Sequence, residues 1–252
     1  MKTARTLETE WQARQALIVQ ALSLNRLGIN HGKAGNVSLR WHRSEGVQGK
    51  GVQGEGVQGE GMLITPSAVD YEDLEPEDLV WMSLDEDPPR IDGRLKPSTE
   101  WAMHRDLMRA RPDCSAVVHT HSLHASALSC LEKIQREGIP PFHYMIATSR
   151  VSRIACAPYA RFGTQALSQG MLNAMQGGAR ACLLAHHGVI AIGETLSSAL
   201  SLAQEVEAIA MMYSQCLALG GPALLDENAM AEVLEAFVSY RSAEASDPKP
   251  CP

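Results

Sequence analysis

Two histidines one residue apart, His119 and His121, lie in the run AVVHTH. On a strand the side-chain period is two, so both imidazoles point to one face and Thr120 to the other. Two neutral imidazoles on one face make half of a zinc-type site, although paired histidines also occur as plain structural residues. A further imidazole is offered by RACLLAHHGVIAIG, in which two apolar runs meet at His186-His187-Gly188 and predict two strands joined by a tight turn. One of that pair can face the site and the other must then face away. We read His187 as the ligand and His186 as a hydrogen-bonded structural histidine. A trio of histidines leaves a metal with an open position, as catalysis requires. His124 is expected to begin a helix, behind the ligands or at the surface. His31, His42, His104 and His143 have no partner spacing and are read as structural.

Glu100 follows Pro97-Ser98-Thr99 in the first turn of a predicted helix. The helix dipole favours a carboxylate there whatever its function. Ser98 and Thr99 bring hydroxyls and free backbone N–H groups to the same helix start, which suits an anion such as phosphate as well as ordinary capping. Asn36 follows Gly35 in GKAGN, a glycine turn where backbone can approach a ligand closely, and Ser67 follows Thr65-Pro66. Each is weak alone, because Gly, Asn, Pro and Ser also make plain turns. Together they would place an anion-binding group beside Glu100, and Glu100 beside a metal.

The elements that must position these residues follow from periodicity. A first helix is expected from about Leu7 to Leu27, with Leu7, Trp11, Ile18 and Leu22 on one stripe widened by Leu17, Ala21 and Leu24, and Gly28 as a left-handed cap. Strands are expected over Gly35–Trp41, Met62–Thr65 and AVVHTH, with another near Tyr144–Thr148. Helices are expected over Thr99–Arg111, with Met103, Leu107 and Met108 buried, and near Ser122–Leu131 and Gly163–Met175. The longest helix carries Leu196, Ala199, Ala203, Val206, Ala210 and Tyr213 at alternating steps of three and four. Asp226 caps a last helix with Met230, Val233, Leu234 and Phe237. Helices and short strands alternate irregularly. That predicts one α/β domain over residues 1–240, with a mixed or antiparallel central sheet between helical layers, and a loose tail over 241–252.

Between the first two strands lie GVQGK, GVQGE and GVQGE, Gly46 to Glu60, followed by Gly61. A period of five matches neither strand nor helix, and glycine at that density orders at high entropic cost. The 46–61 insert therefore reads as a solvated, mobile hairpin loop.

The chain has 252 residues, 45% hydrophobic and 20% charged, which excludes a mainly disordered or collagen-like chain. Its formal charge of −7 argues against nucleic acid as a partner, since phosphate neutralisation needs the opposite sign. No segment approaches ~20 consecutive apolar residues, and MKTARTLETEWQ lacks an apolar signal region, so a cytoplasmic protein with no membrane partner is expected. Cys114, Cys130, Cys156, Cys182, Cys216 and Cys251 are scattered without CxxC spacing and read as free, mostly buried thiols.

The strings HGKAGNVSLR, MLITPSAVDYEDL, KPSTEWAMHRDLMRARPDCSAVVHTHSLHASALS, PPFHYMIA, CAPYARFGTQALS and CLLAHHGVIA, with TLSSALSLAQEVEAIAMMY, together resemble the class II aldolase/adducin family, in order, from about Thr6 to Tyr240. The resemblance implies a metal-dependent lyase that cleaves a ketose 1-phosphate to dihydroxyacetone phosphate and an aldehyde. Candidate substrates are L-fuculose 1-phosphate and its 5-deoxy- or methylthio-ribulose counterparts. It implies His119, His121 and His187 as metal ligands, and Glu100 as the acid/base that also binds the resting metal. The implied ion is zinc, with manganese or cobalt as alternatives. Asn36, Ser67, Ser98 and Thr99 are implied phosphate contacts. Tyr144 and Tyr240 resemble tyrosines supplied by a neighbouring subunit, with Phe237 an apolar wall residue, which implies a homotetramer with sites between subunits. Tyr144 is the implied handler of the proton on the cleaved hydroxyl.

This chain departs from the family's aldolases at Ser67-Ala68, where they carry Thr-Gly, and at Lys33 and Thr99, where close relatives carry Thr and Ser. The family also holds sugar-phosphate 4-epimerases, dehydratases and decarboxylases. The epimerases carry Asp at the position of Glu100, which favours an aldolase here. Adducin-like binding modules of the family have lost the metal residues, all of which are present in this chain.

Overall fold

The computed structural model describes residues 9–44 and 58–246. Helix α1 (Glu10–Arg26) is opened by a capping box, in which the Thr9 hydroxyl accepts from the Gln12 backbone and the Gln12 side chain accepts from Thr9. It is closed by Gly28 in the left-handed region at φ +68. Its buried stripe is Ala13, Leu17, Ile18, Ala21 and Leu24. Trp11, expected on that stripe, is 42% exposed, and Leu7 lies outside the described residues.

Eight strands form a single sheet: β1 (Asn36–Arg40), β2 (Gly61–Ile64), β3 (Val80–Ser83), β4 (Ile91–Asp92), β5 (Ala116–Thr120), β6 (Cys156–Ala157), β7 (Ala181–Leu184) and β8 (Gly188–Gly193). Their spatial order is β4-β3-β2-β1-β5-β8-β7-β6. Every neighbouring pair is antiparallel except β6 with β7, so the sheet is mixed. The remaining helices are α2 (Trp101–Ala110), α3 (Leu123–Ser129), α4 (Glu132–Glu137), α5 (Gln165–Ala174), α6 (Leu196–Ala218) and α7 (Glu227–Ser246). α7 thus continues into the segment expected to be a loose tail.

Period-two alternation sends side chains to two separate cores. Val37, Leu39, Ala116, Val118, Val189 and Ala191 pack with α1, α3 and α6. Met62, Ile64, Val80, Met82, Val117, Ile190 and Ile192 pack with α2 and α5 through Met103, Leu107, Leu167 and Met171. The α/β architecture with helical layers on both sheet faces is the one anticipated. All six periodic positions of α6 are buried, and Asp226 Oδ1 accepts from the Ala229 backbone at 2.8 Å to start α7.

β3, β4 and β6 were not anticipated. β3 is buried on both faces and so shows no alternation, and β4 and β6 have two residues each. The strand expected near Tyr144–Thr148 is a 3₁₀ helix, Tyr144–Ser149. The Thr148 and Ser149 hydroxyls donate to the carbonyls of Met145 and Ile146 at 2.7 and 2.6 Å, local bonds that compete with strand pairing. Of the five described cysteines, all free, only Cys114 and Cys182 are fully buried. Residues 45–57, most of the glycine-rich insert, lie outside the described residues. Its base is an Arg43–Gly59 pair exchanging backbone hydrogen bonds of 3.0 Å each.

Candidate active site

His119 and His121 leave the end of β5, with β1 on one side and β8 on the other. His119 lies on the face covered by α2, in register with Asn36 of β1 and Ile190 of β8. Both neighbouring strand ends need glycine next to β5. A Cβ on Gly35 would stand 2.5 Å from the His119 carbonyl, and one on Gly188 would stand 2.3 Å from that of Thr120. The turn from β7 to β8 is closed by His187 N donating to Leu184 O at 3.0 Å, with His186 at φ +55. That left-handed residue splits the two imidazoles. His186 faces Gln135, whose amide donates to its Nε2 at 2.8 Å, whereas His187 turns inward. The turn thus points the two rings apart, as anticipated, with His187 toward Glu100 and His186 toward Gln135.

The ligand atoms of Glu100, His119, His121 and His187 all lie within 4.8 Å of one another. The three imidazole rings are mutually edge-on, with centroids 4.7 to 4.9 Å apart. His119 Nδ1 donates to the Val189 carbonyl at 2.9 Å, which directs its Nε2 into the cluster, 3.1 Å from His121 Nε2. Glu100 Oε2 is 3.3 Å from His119 Nε2, and Oε1 is 3.2 Å from His187 Nε2. Oε1 is buried and makes no hydrogen bond among the described residues. Three converging imidazole nitrogens and a carboxylate oxygen lacking a donor fit one divalent cation of the zinc class.

Electrostatics follow from this crowding. Burial works to raise the Glu100 pKa, but the His119 and His187 imidazoles outweigh it and hold the carboxyl well below its usual range. Burial works to lower the His119 pKa, and the Glu100 charge reverses it, so that His119 is raised. His121 is pushed down to about 4, by burial and then by its two imidazole neighbours.

The other anticipated residues fall into two groups. Ser67 N donates to the Lys96 carbonyl at 3.0 Å and Ser98 N to that of Thr65 at 3.1 Å, so the Ser67 loop and the Ser98-Thr99 segment run side by side. Ala68, next in the chain, sits in the left-handed region at φ +64. The helix itself begins at Trp101, with Glu100 at its cap position and the Ser98 hydroxyl accepting from Glu100 N at 3.3 Å. Thr99 and Glu100 line a cleft of about 320 Å³ whose walls include His121, His186, His187 and Tyr159. Asn36, an expected phosphate contact, is 3% exposed and faces Glu100. Its Nδ2 donates to Glu100 Oε2 at 2.9 Å. Tyr144 is half exposed and stacks on Phe237, with centroids 6.5 Å apart. Tyr144, Phe237 and Tyr240 do not line the cleft of their own chain.

Two contributors were missed. His104, read as merely structural, is fully buried beneath Glu100, with Nε2 2.5 Å from Asn36 Oδ1 and Nδ1 2.7 Å from the Ser38 hydroxyl. Its spacing of four from Glu100 on one helix face was the available signal. Glu207 of α6 accepts from the backbone of His124 and Ala125 at 2.8 and 2.9 Å, fixing the α3 start just after His121.

The family model described as the class II aldolase and adducin N-terminal domain matches residues 15–214. This chain belongs to that family. Among its relatives, a 5-methylthioribulose-1-phosphate/5-deoxyribulose-1-phosphate aldolase of Rhodospirillum rubrum is 42% identical over 227 residues, 90% of this chain and 91% of the relative. An L-fuculose phosphate aldolase of Escherichia coli K12 is 40% identical over 235 residues, 93% of this chain and 97% of the relative. A solved L-fuculose 1-phosphate aldolase superposes with a TM-score of 0.75 at 32% identity, covering 89% of this chain and 95% of that one. Within the class II aldolase family, then, the likeness spans the sheet, both helical layers and the His/Glu cluster.

Proposed function

We propose that this class II aldolase cleaves a ketose 1-phosphate to dihydroxyacetone phosphate and an aldehyde. The observation that carries the reading is the trio of imidazoles closed over a carboxylate whose Oε1 lacks a hydrogen-bond donor, opening onto a cleft. His119, His121 and His187 would hold a divalent cation, zinc by its donor set, supplying Lewis acidity at the substrate carbonyl. Glu100 Oε1 moves the proton at the carbon beside that carbonyl, adding it after cleavage and removing it in the synthetic direction. Ser67, Ser98 and Thr99 hold the phosphate, and binding there orients the bond to be broken. Asn36 serves Glu100 first, with its second amide hydrogen left for ligand. Tyr144 of a neighbouring copy handles the proton on the cleaved hydroxyl, with Phe237 and Tyr240 beside it, in a cytoplasmic homotetramer. Exposed Tyr144 stacked on Phe237, away from its own cleft, supports that placement.

The test is a screen of ketose 1-phosphates with coupled detection of dihydroxyacetone phosphate, with and without chelator. L-Fuculose, 5-deoxyribulose and 5-methylthioribulose 1-phosphates are the first candidates. Glu100→Gln is expected to keep its metal and lose about 10²- to 10⁴-fold in turnover. His121→Ala is expected to lose the metal. Near-normal turnover in the first variant, or an unchanged metal load in the second, defeats the reading.

A further inference from the structure

A buried chain of hydrogen bonds runs from β1 through α2 to the acid/base, and its direction is determined at every link. The Asn36 amide nitrogen faces Glu100 and donates to Oε2 at 2.9 Å. Asn36 Oδ1 is therefore turned toward His104 and must accept, so His104 Nε2, 2.5 Å away, carries the proton. Full burial, with His119 as the next cause, pushes the His104 pKa down to about 3, which keeps the ring neutral. A neutral ring protonated on Nε2 has a lone pair on Nδ1, which accepts the Ser38 hydroxyl at 2.7 Å. Ser38, Asn36 and His104 are all buried, so water does not compete for these bonds.

The chain makes the two Glu100 oxygens unequal. Oε2 is tied to Asn36, while Oε1 makes no hydrogen bond among the described residues. We infer that His104 is a positioning residue which, by helping to fix the orientation of the Asn36 amide, keeps that amide on Oε2 and leaves Oε1, which faces His187 Nε2 at 3.2 Å, as the Glu100 oxygen that meets a cation or a proton. The inference rests on Glu100 being the acid/base. Without the His104 N–H, only the Glu100 carboxylate selects the Asn36 orientation, and Oδ1 is left buried without the donor that holds it. A flipped amide would present its carbonyl oxygen to the carboxylate and push it out of place.

The direct test is the His104 tautomer. In zinc-loaded, ¹⁵N-histidine-labelled full-length protein at pH 7, with His104 assigned by its absence from the spectrum of His104→Gln, the expected form is neutral and protonated on Nε2. A ring protonated on Nδ1 reverses every donor in the chain and overturns the inference. This measurement uses the unmutated protein, so it stands even if a variant fails to fold.

In folded His104→Leu, kcat and zinc affinity measured by chelator competition should each fall about 10- to 100-fold, with KM within about twofold. His104→Gln carries an amide donor and acceptor on one stem and should recover most of both. Wild-type kcat and zinc affinity in the Leu variant, or equal losses in the Leu and Gln variants, overturn the positioning role. Failure of the parent reading looks different: Glu100→Gln would keep its turnover while His104 stayed protonated on Nε2.

Discussion

Glu100 and His119 share one proton's worth of electrostatics, and that has a consequence for metal uptake. The carboxyl is held below its usual range and the imidazole above its own, so in the metal-free cluster the pairing favours a carboxylate facing an imidazolium. A metal needs the His119 Nε2 lone pair and must expel that proton. Affinity should therefore fall as pH drops below the raised His119 value and level off above it. Calorimetry of zinc binding in buffers of different ionisation enthalpy should report proton release that is larger at pH 6 than at pH 8. Zero release, with pH-independent affinity between pH 6 and 8, would show that His119 is not in the coordination set. At this scale the sequence was generous where local geometry decides orientation. Period two put His119 and His121 on one face, and a single turn separated His186 from His187. It was silent where orientation depends on a distant strand. A histidine at position 104 reads like any buried helix residue until β1 brings Asn36 and Ser38 against it.

The elements are held in place by a charge cluster remote from the cleft. Glu10, in the first turn of α1, meets Arg14 at 2.7 Å and Arg43 at 2.7 Å, and Arg43 also meets Asp92 of β4 at 2.5 Å. These side chains are 5–15% exposed, so they are screened little by salt. Burial works to raise the Glu10 pKa, but Arg43 and Arg14 more than offset it, and the net shift is downward. A lowered carboxylate pKa contributes stability that is present above the unfolded value, about 4.3, and is lost as pH falls through the folded one. Glu10→Gln leaves two buried guanidiniums short of a partner and should destabilise by about 3 kcal/mol at pH 7 in urea melts. The gap between variant and wild type should close as the buffer is taken from pH 5 toward pH 3; a gap that stays constant would place the cost in packing instead. None of this network was legible beforehand, because Glu10, Arg43 and Asp92 are far apart in sequence and meet only once β3 and β4 extend the sheet. The long amphipathic helices were legible. The strands that lacked alternation, β3 above all, were not.

At the scale of the whole molecule, the sheet has a working end and an idle end. Asn36 opens β1 beside His119, and the same strand runs away from the cluster to Arg43, where the chain leaves for the glycine-rich insert and returns at Gly59. Asn36 and Arg43 are seven residues apart, which at ~3.3 Å per residue puts the base of the insert roughly 20 Å from the acid/base. Arg43 is anchored there by Glu10 and Asp92, and Glu60 on the returning side lies 3.1 Å from His42. The hairpin is thus closed between Arg43 and the end of the third repeat. Deleting Gly46–Glu55 removes two five-residue units and keeps the Arg43–Gly59 pair. Loop closure costs only about 0.6 kcal/mol per doubling of length, so the shortened chain should match the full one in stability within about 1 kcal/mol. Its kcat/KM should stay within about twofold. A tenfold loss of kcat/KM at unchanged stability would mean that the insert contributes to turnover.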